Sequence, residues 1–191
     1  MKLRWVLMAV AAVVIFGSVA LAGCGTSVSS SFETEAVTST TGVPKVDKAK
    51  FADVWRALME IESATAVGVT YANFGPLVQN FFTEYKLVPQ SGLSPAEADA
   101  MDTLRVIALA YADSYTLWQK KLDAEYGTIR VKSDSKETFD RALEMVELYG
   151  LETREYPAGG HPYTIISSAA VEVVWSWASD KTDGIRPLLT P

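Results

Sequence analysis

Met101, Leu104, Ala108, Tyr111, Tyr115, Trp118 and Leu122 follow one another at spacings of three and four in strict alternation. That is the a/d pattern of a helix whose face packs along a partner helix. Its start is also written in the chain, because Ser94-Pro95-Ala96-Glu97 combines a capping box with proline at the first helical position. With Gly127 as the stop, the helix would reach ~48 Å at 1.5 Å per residue. Upstream, Phe51, Val54, Trp55, Leu58, Glu62 and Thr65 repeat at similar intervals behind Asp47, a good N-cap. Gly68 weakens this helix, and Gly75-Pro76 predicts its break, with Leu77, Val78, Phe81, Phe82 and Tyr85 folding back as a second piece. A third helix is expected from Asp134 to a C-terminal Gly150, burying Phe139, Leu143 and Val146. Residues 151–163 carry Pro157, Gly159, Gly160 and Pro162 and read as a loop. Residues 164–180 fit either period: Ile166, Ala170, Val173 and Trp177 mark a helix, while Val171, Val173, Trp175 and Trp177 alternate as a strand does. Length and the Ser-Ser-Ala-Ala stretch favour the helix. Residues 181–191 read as a tail.

The expected fold is therefore all-α: an antiparallel bundle of four principal helices, the first broken near Gly75-Pro76, occupying residues 47–180. Two rings of the last element, Trp175 and Trp177, lie about 200° apart on a helix, so one of them should approach the surface.

The first residues follow a different logic. Lys2 and Arg4 precede an uncharged apolar run that ends in Leu21-Ala22-Gly23-Cys24. These four residues resemble the lipobox of bacterial prolipoproteins at every position. The resemblance implies a signal peptide over 1–23, thioether lipidation of Cys24, and a mature chain anchored by acyl chains in the bacterial cell envelope on its extracytoplasmic face. The alternative is an uncleaved span, for which 19 uncharged positions are barely enough. Against it, the sole cysteine of the chain stands where a lipobox needs it. Residues 25–46 hold ten Ser or Thr in 22 positions and few apolar side chains. With Cys24 they form a flexible tether, spanning ~25 Å on average as a coil.

Composition narrows the chemistry. Without Lys2 and Arg4 the mature chain keeps 15 basic residues against 23 acidic ones, a net charge of −8. That balance, with no basic cluster, argues against nucleic acid and against charge-driven binding to anionic lipid, leaving the acyl chains as the membrane contact. Once Cys24 is acylated no thiol remains for a disulfide, a zinc site or a nucleophile.

Candidate sites are few. The stripe Tyr111, Tyr115 and Trp118 faces a first helix that offers Glu62, Thr65 and Tyr71. As a pocket it would stack a flat or sugar-like ligand; as core, its rings fill the bundle and its hydroxyls bond Glu62 or Thr65. His161, the only histidine, sits in a loop longer than usual for a bundle, with Glu152 and Glu155 near in sequence. No His-x-x-x-His or Glu-x-x-His pair is present, so neither metal nor cofactor is expected. Ser133-Asp134-Ser135-Lys136 matches Ser-x-x-Lys formally, but a helix start explains it and no accompanying motif supports a hydrolase. The expected role is a binding or scaffolding module of the envelope with a protein partner; a sensor or carrier using the aromatic stripe is the alternative, and a hydrolase built on His161 or Ser133 the remote one.

Overall fold

A computed structural model of the chain describes residues 46–124, 127–132, 141–156 and 163–190. Helices take up 73% of these residues, so the chain is mainly helical, with one small sheet beside the helices. Cys24, Ser133, Phe139 and His161 lie outside the described residues.

A 3₁₀ turn, Lys48–Phe51, is capped by the Asp47 carboxylate, which accepts from the Ala49 N–H at 3.2 Å. It leads into α1, Ala52–Val67, whose inner face carries Val54, Trp55, Leu58 and Ile61. The break in the first predicted helix comes at Gly68, not at Gly75-Pro76. Gly68 has φ +94°, a backbone setting that side-chain-bearing residues avoid. Thr70 then caps a new helix by accepting from the Asn73 N–H at 3.4 Å. This is α2, Tyr71–Leu87, and it runs uninterrupted through Pro76. The phenylalanines are nevertheless covered: Phe81 is fully buried, and Leu77 and Phe82 are half-buried against the core.

The long helix α3, Pro95–Asp123, begins at Ser94 with both capping-box bonds in place and ends at Ala124. Met101, Leu104, Ala108 and Tyr111 are buried, but Leu122, the last position of the predicted seam, is 59% exposed. The helix also buries Ile107, Ala110, Asp113, Ser114 and Leu117, a broader face than a two-helix seam. The third predicted helix is shorter among the described residues: α4, Ala142–Tyr149, turns Ala142, Met145 and Tyr149 inward and leaves Leu143 exposed. Gly150, in the left-handed region, ends it as expected, and the Leu151 N–H closes back on the Val146 carbonyl at 3.1 Å.

The predicted loop and the predicted tail are the two larger corrections. Within 151–163 lies β2, Thr153–Tyr156, which pairs antiparallel with β3, Tyr163–Ile166. β1, Ile129–Lys132, pairs with the other side of β3, giving the order β1-β3-β2. Ile129, Val131 and Ile166 are buried. The ambiguous last element is both things in turn: a strand up to Ile166, then α5, Ala170–Leu189. Residues 181–189 continue α5 rather than trailing away, with Thr182, Ile185 and Leu189 buried. In the core α2 packs on α1 and α3, while α5 packs on α3, α1 and α4. Among the described residues no helix is long and apolar enough to cross a membrane.

Candidate functional site

Four of the residues singled out from sequence, Glu62, Tyr111, Tyr115 and Trp118, come together where α1, α2, α3 and α5 converge. Tyr111 is fully buried and donates its hydroxyl to Glu62 Oε1 at 2.7 Å. Burial, reinforced by the Glu62 carboxylate, pushes this phenol far above the ordinary tyrosine range. The other Glu62 oxygen accepts from Ser179 Oγ at 3.1 Å and lies 3.6 Å from the Arg186 guanidinium. Arg186 also pairs with Asp183 at 3.0 Å and lies over the Trp55 ring, 5.7 Å from its centroid. Glu62 therefore ties α1 to α3 and α5, the bonded core arrangement that the alternation of the stripe allows.

The rings of the stripe are filled in by Tyr71, expected opposite them, and by Phe74 and Trp175, which periodicity alone does not place there. Tyr71 stacks on Tyr115 with centroids 4.8 Å apart and planes at 6°. Its hydroxyl, hydrogen-bonded to Tyr115, is pushed up to about 12. Phe74, fully buried, contacts Tyr111, Trp118 and Trp175 at centroid distances of 6.3, 5.9 and 5.2 Å. Trp175 meets Trp118 edge-on at 5.6 Å and donates its indole N–H to Ser114 Oγ at 3.0 Å. Trp177, on the other side of α5, is half-buried against Tyr149 and is topped by Lys181. Both tryptophans are half-buried, against different neighbours on two sides of α5.

Gly75 belongs to this cluster. A Cβ placed there would stand 3.0 Å from Tyr115 Cε2. Gly75, instead of breaking the helix, is the gap through which α2 approaches the Tyr115 ring.

Two further carboxylates of α3 are held inside. Asp113 accepts from the Tyr149 hydroxyl at 2.7 Å and from Arg141 at 2.9 Å, clasping α4 onto α3. Burial and then this bond push the Tyr149 phenol up. Glu97 accepts from the Ser94 N–H at 2.8 Å, from Lys50 Nζ at 2.9 and 3.1 Å, and from the Asp47 N–H at 3.1 Å. The Ser94 bond above all, then Lys50 and Asp47, hold its carboxyl down at about 2. An open cleft of about 520 Å³ beside Val46, Asp47, Ser94 and Glu97 is lined by these committed groups.

Glu62, Asp113 and Glu97 thus each hold helices together. Among the described residues no three His, Cys, Asp or Glu side chains stand close enough to share a metal ion. Comparison with models of protein families, with curated proteins and with solved structures finds no match.

Proposed function

We propose that the chain is a lipid-anchored protein of the bacterial envelope that acts by binding a protein partner, without catalysing a reaction. In this reading the acyl chains on Cys24 hold it to the extracytoplasmic face of a membrane, residues 24–46 form the tether, and α1, α2, α3 and α5 form a closed four-helix bundle that presents its surface to the partner. One observation carries the choice of binding over transport: the aromatic stripe is occupied by the chain's own Tyr71, Phe74 and Trp175. Rings at those separations are a packed core, and the buried carboxylates are spent on neighbouring helices.

A carrier that opens at one end of the stripe is the second reading, favoured by the half-burial of Tyr115, Trp118 and Trp175. The two separate experimentally. Crosslinking the native protein in its own envelope should capture a protein partner; recovery of a stoichiometric small molecule from the purified chain instead would replace the first reading with the second. The anchor is tested by feeding cells an alkyne fatty acid. Label should enter the wild-type protein and be absent from Cys24→Ala, and label persisting in that variant would remove the lipoprotein assignment.

A further inference from the structure

Of the eight tyrosines of the chain, two pairs stack face to face among the described residues, and the two are built differently. Tyr71, at the first position of α2, lies on Tyr115 of α3 with centroids 4.8 Å apart, planes at 6° and the two hydroxyls hydrogen-bonded to each other. Parallel planes and bonded oxygens set the ring carbons ortho to the two hydroxyls against one another. Those are the carbons at which tyrosyl radicals couple. Gly75, one turn along α2 from Tyr71, permits the approach, since a Cβ there would stand 3.0 Å from Tyr115 Cε2. Both rings are half-buried, so a small oxidant reaches them from solvent. They also end a run of rings: Trp118 meets Tyr71 edge-on at 5.7 Å, and Trp175 meets Trp118 at 5.6 Å. An electron lost from either indole can therefore be replaced from the phenols, whose hydroxyl protons leave to give neutral radicals. The second pair, Tyr156 and Tyr163, stands 5.7 Å apart at 11°, and the Arg130 guanidinium lies 4.7 Å from the Tyr163 centroid. A cation over a ring holds its π electrons more tightly, so this pair is the harder one to oxidise.

We propose that Tyr71 and Tyr115 are an oxidative cross-linking site, where hydrogen peroxide, acting through a haem peroxidase as one-electron oxidant, staples α2 to α3 by a dityrosine bond. Each phenol loses one electron and its hydroxyl proton. The two phenoxyl radicals pair their odd electrons in a new bond between ortho carbons. The hydrogen on each of those carbons then moves to the neighbouring oxygen, restoring both phenols. Two hydrogens leave in all, and one hydrogen peroxide takes them up as it becomes two waters. The joined rings twist out of their parallel planes, a turn that Tyr71 can make because it stands at the start of α2 and not in the buried core. The 191 residues hold one cysteine and cannot close a disulfide among themselves, so this bond is the covalent brace open to them. It closes a loop from 71 to 115 in the unfolded chain, and restricting that state favours the folded one.

Treating the full chain with hydrogen peroxide and a haem peroxidase tests this. A monomer lighter by two hydrogen atoms should form, with the violet fluorescence of dityrosine, and its digest should contain two peptides joined at Tyr71 and Tyr115. The linked monomer should melt several degrees above the untreated chain. Tyr71→Phe and Tyr115→Phe keep the rings and remove one hydroxyl each; either should abolish the product while the variant still melts cooperatively. Tyr156→Phe should leave the yield at the wild-type level. Coupling mainly between Tyr156 and Tyr163, linked dimers in place of the monomer, no loss of two hydrogens, a product that survives Tyr71→Phe, or a linked chain that melts lower would each overturn the proposal.

Discussion

Gly75 shows most plainly how one residue's role depends on its neighbours. In a helix interior alanine is better than glycine by about 1 kcal/mol. Here the added methyl would stand 3.0 Å from a Tyr115 ring that Tyr71 pins by stacking. Overfilling a packed site costs about 1–3 kcal/mol, so Gly75→Ala should destabilise on balance. In a Tyr115→Ala background the clash is gone and the same change should stabilise. Thermal melts of the four proteins of this cycle check the sign reversal, and additive effects would show that the ring does not oppose the methyl. Sequence reached part of this cluster. Tyr111 bonded to Glu62 followed from two helices facing each other, whereas Asp113 with Arg141 and Tyr149 did not. A carboxylate on the inner side of a helix reads as solvated until the partner that buries it is known. Tyr71 opposite the stripe is legible too, but Phe74 is not, because a break expected at Gly75-Pro76 puts it at the end of one helix instead of in the first turn of another.

Among the elements, α3 was legible almost completely, because a capping box and a three-four spacing are local signals that tertiary packing did not override. The break between α1 and α2 falls at Gly68 instead of Gly75-Pro76. Proline inside a helix forfeits one hydrogen bond, here toward the Ala72 carbonyl, and α2 tolerates this while Gly68 adopts the positive φ that ends α1. β1 carried a readable alternation, Ile129-Arg130-Val131-Lys132, with both apolar residues buried. β2 carried none, since all four of its residues are exposed and no apolar face existed to see. In α5 the inward positions Val171, Val174, Ala178, Thr182, Ile185 and Leu189 keep the helical spacing past residue 180, but Gly184 and Pro187 hide it. A chain ending at Asp180 should therefore fail to fold. Losing the burial of Ile185 and Leu189 alone removes about 3–6 kcal/mol, comparable to the whole stability of many domains. Circular dichroism of the truncated chain checks this, and a cooperative melt at the wild-type temperature would show that α5 needs only its first half.

At the scale of the whole molecule, the 3₁₀ turn is locked to α3 through one acid. The Glu97 carboxyl is held at about 2 in the folded chain against an ordinary 4.5. A folded value below the unfolded one means stability that is complete above about 4.5 and is lost as pH falls toward 2. Glu97→Gln keeps the shape but not the charge, so its melting temperature should fall less steeply over that window, as acid titration of both proteins would show. Parallel curves would place the acid sensitivity elsewhere. The same region holds a contact that bears on how the chain can be rearranged. Lys48 Nζ donates to the Thr190 carbonyl, so the first turn and the residue that caps the end of α5 are neighbours. A short linker could join these ends, and new termini opened in the exposed turn at Ser91-Gly92 would cut the backbone between α2 and α3. Such a circular permutant should keep the native melt within a few degrees, as permuted domains with adjacent termini commonly do. Its practical consequence is for labelling: in the permutant a fluorophore or fusion on either new terminus would stand in the turn between α2 and α3 instead of at the end of α5.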